Sequence, residues 1–274
     1  MKKRFAGYLI CSDIDGTLVD SKSCISQENA EAIRWFQEEG GYFTVATGRA
    51  PRYITKYQDS FVSNAPIIAC NGSYLYDLEK DESVYKCEFR LKYEEFMPIM
   101  SNVLPKTNRI TLFSEGLDLK RMGVDCEYKD CVYYLPTESF VKNARMLLGQ
   151  SWLKIVFRFA NESDAISARD YLNSTKLGEV ICFERSWPIG IEFVGKASTK
   201  GLAAQRLKAF LPDVKKLICI GNYENDISMI SMADIGVAVS NAEPEVKAVA
   251  DMITVSNDES ALAKLISELP SIEQ

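Results

Sequence analysis

Short apolar runs alternate with helix-like patterns at both ends of the chain. Tyr8-Leu9-Ile10-Cys11 reads as a buried strand. After it, Ser26 is placed to cap a helix with Glu28 in its first turn, with Ala30, Ile33 and Phe36 on one face and Gly40-Gly41 as its stop. A second strand runs from Tyr42 to Ala46, and Pro51 suits the first turn of another helix. Pro66 opens a third strand, Ile67 to Cys70, which ends at Asn71-Gly72. The alternation returns near the C-terminus. There Thr199-Lys200-Gly201 begins a helix through Phe210, and strand Leu217 to Ile220 runs into Gly221-Asn222-Tyr223-Glu224-Asn225-Asp226. Strand Ile235 to Val239 and a helix from Glu243 follow. Strands alternating with helices predict an α/β fold with a parallel sheet and crossover helices. In such an open sheet, ligands bind beyond the carboxyl ends of the strands. The loops around residues 13, 47, 71 and 222 are therefore expected on one edge.

Between these halves the texture changes. Charged and aromatic residues rise, and strands such as Arg109 to Phe113, Trp152 to Phe159 and Glu179 to Phe183 alternate with helices such as Glu138 to Leu148 and Glu162 to Leu172. Leu153, Ile155, Phe157 and Phe159 alternate with Lys154 and Arg158, although Val156 breaks the pattern, which predicts a sheet with one wet face. Residues 85–188 are expected to form an inserted α+β domain, with 1–84 and 189–274 forming the core.

Composition narrows the chemistry. The 274 residues are 47% hydrophobic and 26% charged with a net charge of -6, enough for a sizeable core. No block of basic residues favours nucleic acid or an anionic membrane. The basic start, Met1-Lys2-Lys3-Arg4, precedes an apolar stretch too short and too charged for a signal segment or a membrane span, so the expected compartment is the cytoplasm. The eight cysteines show no Cys-x-x-Cys spacing and read as reduced thiols. There is no histidine, which excludes Ser-His-Asp and Cys-His mechanisms and every His-based zinc site. Acid and base work falls to carboxylates, lysine or tyrosine.

The segment Asp13-Ile14-Asp15-Gly16-Thr17-Leu18 follows the first strand directly. Two carboxylates two residues apart can face one cleft where a strand ends, one to attack and one to move protons. For the segment alone an acidic turn is the plain alternative, because Asp-Gly is a common turn dipeptide.

Taken together, DIDGTL at 13 to 18, ATGR at 46 to 49, CNGS at 70 to 73, TKG at 199 to 201 and GNYEND at 221 to 226 resemble the haloacid dehalogenase-like superfamily. The long insertion, and the tail ADIGVAVSNAEPEVKAVADMIT at 233 to 254, are similar to its Cof-type phosphatases with a type IIB cap. That resemblance implies a Rossmann-like core and a cap that closes over the cleft and selects the leaving group. It implies Mg2+-dependent hydrolysis of a small phosphate ester, such as a sugar phosphate, through an aspartyl phosphate. Asp13 would be the nucleophile, Asp15 the acid and base, and Lys200 a fixed positive charge. Thr47, Gly48, Arg49, Asn71 and Asn225 would meet the phosphate or leaving group, and the metal ligands would come from Asp13, Asp15, Asn222 and Asp226. Tyr128, Tyr133, Tyr134, Arg185 and Trp187 are candidate cap contacts, with a structural role in the sheet as the alternative. A monomer or homodimer is expected.

The fourth segment departs from the family pattern. It usually begins Gly-Asp, and here it is Gly221-Asn222. An amide oxygen can still ligate magnesium but brings no charge, so a weaker metal site is expected. The stretch Asn257-Asp258-Glu259-Ser260 also has serine where the family often has glycine, with no function assigned. Two other readings stay open: a phosphosugar mutase or phosphotransferase of the same fold, and a non-catalytic regulatory protein with a decayed metal site.

Overall fold

The computed structural model describes residues 3–57, 61–129, 131–211 and 213–270. In chain order the elements are β1 (Tyr8–Ser12), α1 (Gln27–Glu38), β2 (Tyr42–Val45), β3 (Ile67–Ala69), β4 (Tyr74–Asp77), β5 (Glu82–Lys86), α2 (Tyr93–Met100), β6 (Thr107–Phe113), β7 (Glu127–Lys129), β8 (Val132–Pro136), α3 (Thr137–Leu148), β9 (Lys154–Phe159), α4 (Glu162–Ser174), β10 (Ile181–Trp187), β11 (Gly190–Gly195), α5 (Lys200–Phe210), β12 (Lys216–Gly221), α6 (Ile227–Met232), β13 (Ile235–Ala238), α7 (Pro244–Val249), β14 (Met252–Ile253) and α8 (Ala261–Glu268). The chain divides into two compact units, Met1–Tyr85 with Thr199–Gln274, and Lys86–Ser198.

The first unit is built on a five-stranded parallel sheet of order β14-β13-β12-β1-β2. All five residues of β1 are buried, as a strand covered on both faces requires. Helix α1 is capped by Ser26, whose hydroxyl accepts the Asn29 N–H at 3.2 Å. Its buried face carries Ile33 and Phe36 with Asn29, and Ala30 is only half-buried. Asn29 takes the inner position because both ends of its amide have partners: it donates to the Leu18 carbonyl at 3.3 Å and accepts from the Ala263 N–H at 2.9 Å. The region after Pro51 forms two short 3₁₀ turns, Pro51–Tyr53 and Thr55–Tyr57, in place of the expected helix. Strand β3 touches β2 through the Ala46–Ile68 bridge and then reverses into an antiparallel ribbon with β4. The reversal is made by Cys70, Asn71 and Gly72, all with positive φ.

The second unit holds a six-stranded antiparallel sheet of order β10-β11-β9-β6-β8-β7. Ile155, Phe157 and Phe159 share a core with Phe96 of α2, Phe140 of α3 and Leu172 of α4, and Phe157 stacks on Phe193 at 4.6 Å. The opposite positions of β9 are not uniformly wet. Arg158 is exposed, but Lys154 is buried and paired with buried Glu192 at 3.0 Å, and the Ser186 hydroxyl donates to the same carboxylate oxygen at 2.7 Å. A charge can be buried when it is paired and hydrogen-bonded. The second boundary falls at 198/199, ten residues beyond the expected 188/189. Strand β11 lies between β10 and β9 and therefore belongs to the inserted sheet.

Candidate active site

Three adjacent strands end together. β1 lies between β12 and β2, with Ser12 opposite both Ile220 and Val45. The Asp13 N–H continues the ladder to the Ile220 carbonyl at 2.9 Å, and the Ala46 N–H donates to the Ser12 carbonyl at 2.8 Å. Asp13, Thr47 and Asn222 thus leave the sheet at one carboxyl edge. Beyond Asp13 the chain turns tightly, with the N–H groups of Thr17, Leu18 and Val19 converging on the Ile14 carbonyl at 3.3, 3.1 and 3.0 Å.

Two carboxylates and one ammonium form the centre of the site. Lys200, the first residue of α5, is wholly buried, and its Nζ donates to Asp13 Oδ1 at 2.7 Å and to Asp226 Oδ1 at 2.6 Å. Thr199 caps this helix, its hydroxyl accepting the Leu202 N–H at 3.3 Å. Asp226 Oδ2 accepts the backbone N–H groups of Asn222 and Tyr223 at 2.9 and 3.1 Å. Gly221 leaves room for this, since a Cβ there would stand 2.5 Å from the Asp226 carboxyl carbon. Burial, reinforced by Asp226, pushes the Asp13 carboxyl up to about 7 against the pull of Lys200. Burial also disfavours the Lys200 ammonium, but the two carboxylates outweigh it and hold the amine above its ordinary value.

Asn222 presents one end of its amide to the turn after β1. That end lies 3.2 Å from Asp13 Oδ2, 3.1 Å from the Asp15 carbonyl oxygen and 3.0 Å from Thr17 Oγ1. Asp13 Oδ2, the Asp15 carbonyl and the Asn222 amide oxygen are the kind of donors a hard divalent cation takes. Neighbouring corners of an octahedron with metal–oxygen bonds near 2.1 Å are about 3.0 Å apart, close to the spacing of Asn222 from its two neighbours. The residues fit such an ion. No group of three His, Cys, Asp or Glu side chains among the described residues could hold a metal; this donor set relies instead on a backbone carbonyl and an amide. Asp226 is committed to Lys200 and to loop amides, so it braces the site from behind.

Asp15 forms a bidentate pair with Arg49, Nε to Oδ2 at 2.9 Å and Nη2 to Oδ1 at 2.8 Å, and about half of its side chain remains exposed. Thr47 is buried, and its hydroxyl oxygen accepts the Arg49 N–H at 3.2 Å across half-buried Gly48. Asn71 is buried with φ 55°, accepts from Asn225 Nδ2 at 3.2 Å through its side-chain oxygen, and donates its N–H to the Thr47 carbonyl at 3.0 Å. All ten catalytic, phosphate-binding and metal-binding residues named from the sequence lie in the first unit, at or beside these loops.

Several supporting residues carried no separate signal. Asn241 donates to the Gly16 carbonyl at 2.9 Å, Asn257 donates to the Val19 carbonyl at 2.9 Å, and the Ser228 hydroxyl accepts the Gly201 N–H at 3.1 Å. Asn241 lay inside the family-like tail, but nothing in its spacing set it apart. Ser260 occupies a left-handed position, φ 61°, with its hydroxyl 2.8 Å from that of Ser26, which explains why glycine suits this place. In the second unit, Tyr133 is a core residue whose hydroxyl donates to the Leu117 carbonyl, and Arg185 pairs with Glu162 at 2.9 Å. Both have structural roles there. Tyr128 packs against Tyr133 with the rings tilted by 34° and their centroids 4.7 Å apart, and Tyr134 lies under the Arg109 guanidinium at 4.9 Å. Trp187 packs against Gly190.

Comparison with known proteins agrees with this geometry. A model of the haloacid dehalogenase-like hydrolases matches residues 10–266. A 5-amino-6-(5-phospho-D-ribitylamino)uracil phosphatase of Bacillus subtilis (strain 168), YitU, is 25% identical over 270 residues, covering 97% of this chain and 98% of the relative. A second phosphatase of the same name and organism, YcsE, is 29% identical over 259 residues, covering 94% of each. Among solved structures, a haloacid dehalogenase-like hydrolase from B. subtilis superposes with a TM-score of 0.73 at 21% identity, covering 95% of this chain and 99% of the other. The expected α/β core with an inserted cap is borne out by that fold likeness. No helix among the described residues is long and apolar enough to cross a membrane.

Proposed function

This chain belongs to the haloacid dehalogenase-like hydrolases, in their Cof-type phosphatase branch, and on that footing we propose that it hydrolyses a small phosphorylated metabolite through an aspartyl phosphate on Asp13. The observation that carries this reading is the buried Lys200 ammonium between Asp13 and Asp226, at 2.7 and 2.6 Å. It fixes the orientation of one carboxylate and leaves positive charge beside the oxygen that would attack.

Asp13 Oδ2, the Asp15 carbonyl and the Asn222 amide oxygen would hold a magnesium ion, which when bound would neutralise charge on the phosphoryl oxygens. Asp13 Oδ1 attacks phosphorus in line, forming the acyl phosphate as the ester P–O bond breaks. Asp15, once freed from Arg49 and protonated from solvent, gives that proton to the departing alkoxide; it then takes one from the water that attacks phosphorus and expels the Asp13 carboxylate. The Thr47 hydroxyl and Lys200 ammonium stabilise charge spread over the phosphoryl oxygens. Asn71, Asn225 and Gly48 line the phosphate position, and Arg49 meets the incoming anion, releasing Asp15 from its fork as it does so. Choice of leaving group is assigned to the inserted unit.

Two relatives named for a phosphorylated ribitylaminouracil support a small, polar phosphate ester as substrate. That compound heads the panel to test. The parent protein with magnesium is expected to release inorganic phosphate from at least one of a set of phosphorylated metabolites with no acceptor present, and Asp13→Asn to lose about 10³-fold or more of that rate. Transfer only to an acceptor hydroxyl would favour the phosphotransferase reading. Tight binding of one compound with no turnover of any would overturn hydrolysis.

A further inference from the structure

The inner end of the Asn222 amide stands 3.2 Å from Asp13 Oδ2, 3.1 Å from the Asp15 carbonyl and 3.0 Å from Thr17 Oγ1. If that end is oxygen, it faces the ionised Asp13 carboxylate and the Asp15 carbonyl, two groups that can then only accept, and without a cation those contacts are repulsive. If it is nitrogen, its two N–H groups can bond to both of them, and the Thr17 hydroxyl no longer has an oxygen there to donate to. We propose that the Asn222 amide is a two-position switch. In the metal-free protein its nitrogen faces Asp13 and Asp15 and stands in for the cation. Metal binding turns it by 180° so that its oxygen becomes a ligand. This inference rests on the metal-dependent reading above.

The surroundings favour that rotation. Exchange of N and O leaves the shape of the amide unchanged, and the Thr17 hydroxyl can either donate or accept. Gly16, at φ 80°, has no side chain to obstruct the amide: a Cβ there would stand 2.6 Å from the outer end of the Asn222 amide. The Asn222 backbone is tethered by its N–H to Asp226 Oδ2 at 2.9 Å, so movement is confined to the side chain. An aspartate at 222 would bring a second negative oxygen to the same place and would need a cation or a proton beside it. The asparagine makes the metal-free state self-satisfied. It also makes the ion compete with two existing hydrogen bonds, so the site fills only at higher free divalent cation concentrations.

The test uses the full chain without substrate at pH 8, with magnesium chloride titrated calorimetrically and thermal unfolding followed with and without the ion. Asn222→Asp is expected to bind magnesium roughly tenfold or more tightly, the equivalent of about one hydrogen bond to a charged group. Its metal-free Tm is expected to fall by about 3 °C or more, and magnesium to restore it. Asn222→Ala removes the donor without adding charge, so its metal-free Tm should fall while its affinity does not rise. In ¹⁵N-labelled parent protein, the side-chain amide signal absent from Asn222→Asp should shift on magnesium addition. An unchanged metal-free Tm, or no gain in affinity, in Asn222→Asp would overturn the switch. Absence of phosphate release from any substrate, with these metal responses present, would overturn the phosphatase reading and leave the switch standing.

Discussion

Replacing Lys200 by methionine tests the electrostatic centre directly. The side chain keeps nearly its length and loses its charge, leaving Asp13 and Asp226 buried without the ammonium they share at 2.7 and 2.6 Å. Removing one partner of a buried ion pair costs about 3–5 kcal/mol, a large part of a typical folding free energy of about 5–15 kcal/mol. The penalty should also depend on pH. The folded Asp13 carboxyl sits at about 7, above its unfolded value of 3.8. The folded state therefore binds the extra proton between those values, and this contribution falls as pH rises toward 7. In Lys200→Met the lowering pull of the ammonium is gone, so the folded value moves higher still. Between pH 7 and that new value the variant loses a further amount of about 1.4 kcal/mol per pH unit relative to the parent. Urea unfolding of metal-free protein at pH 6, 7 and 8 measures the gap. Because the single variant is severe, Lys200→Met combined with Asp226→Asn is the companion, expected to recover at least about 1 kcal/mol by removing the stranded charge. A loss below about 1 kcal/mol, a gap that narrows as pH rises, or a double variant no better than the single would refute the reasoning.

Magnesium binding requires the Asp13 carboxylate, so a proton competes with the ion below about pH 7. With that value, calorimetric affinity should fall about fivefold from pH 7 to pH 6, about tenfold from pH 8 to pH 6, and level off above pH 8; equal affinities at pH 6 and 8 would contradict the assignment of Asp13 Oδ2 as a ligand. Gly221→Ala would put a methyl group 2.5 Å from the Asp226 carboxyl carbon, and overpacking of this kind costs about 1–3 kcal/mol. Denaturant unfolding should show that loss, together with a fall in phosphate release because Asp226 no longer holds Lys200 in place; unchanged stability would mean that the loop relaxes freely.

Some of this molecule was legible because the relevant physics is local. Strands β1, β2, β12 and β13 lie within a residue or two of their expected limits, since strands buried on both faces read as continuous apolar runs. Ser26 was readable as a cap, and Thr199 as a helix start, because a hydroxyl three residues before an unpaired N–H is a sequence-near relation. Other features were set by distant partners. Asn29 replaced Ala30 on the inner face of α1 because Leu18 and Ala263 satisfy its amide. Lys154 is buried on the face expected to be wet, where Glu192, 38 residues away, pairs with it. The boundary at 198 depends on β11 finding β9 and β10, which nothing in its own six residues announces.

The sequence by itself determined which chemistry was possible: no histidine, two aspartates after a buried strand, a lysine at a helix start, and an asparagine where a second metal-binding carboxylate is usual. Tertiary structure decided how those groups divide the work. It gave Asp226 to Lys200 and the loop amides, gave Asp15 to Arg49, and set the Asn222 amide 3.1 and 3.2 Å from two oxygens that only a proton donor or a cation can satisfy. The physical reason is that residue type specifies what a side chain can donate, accept or ionise. Which of those capacities is used depends on the neighbours that folding brings within about 3 Å, and here those neighbours come from opposite ends of the chain.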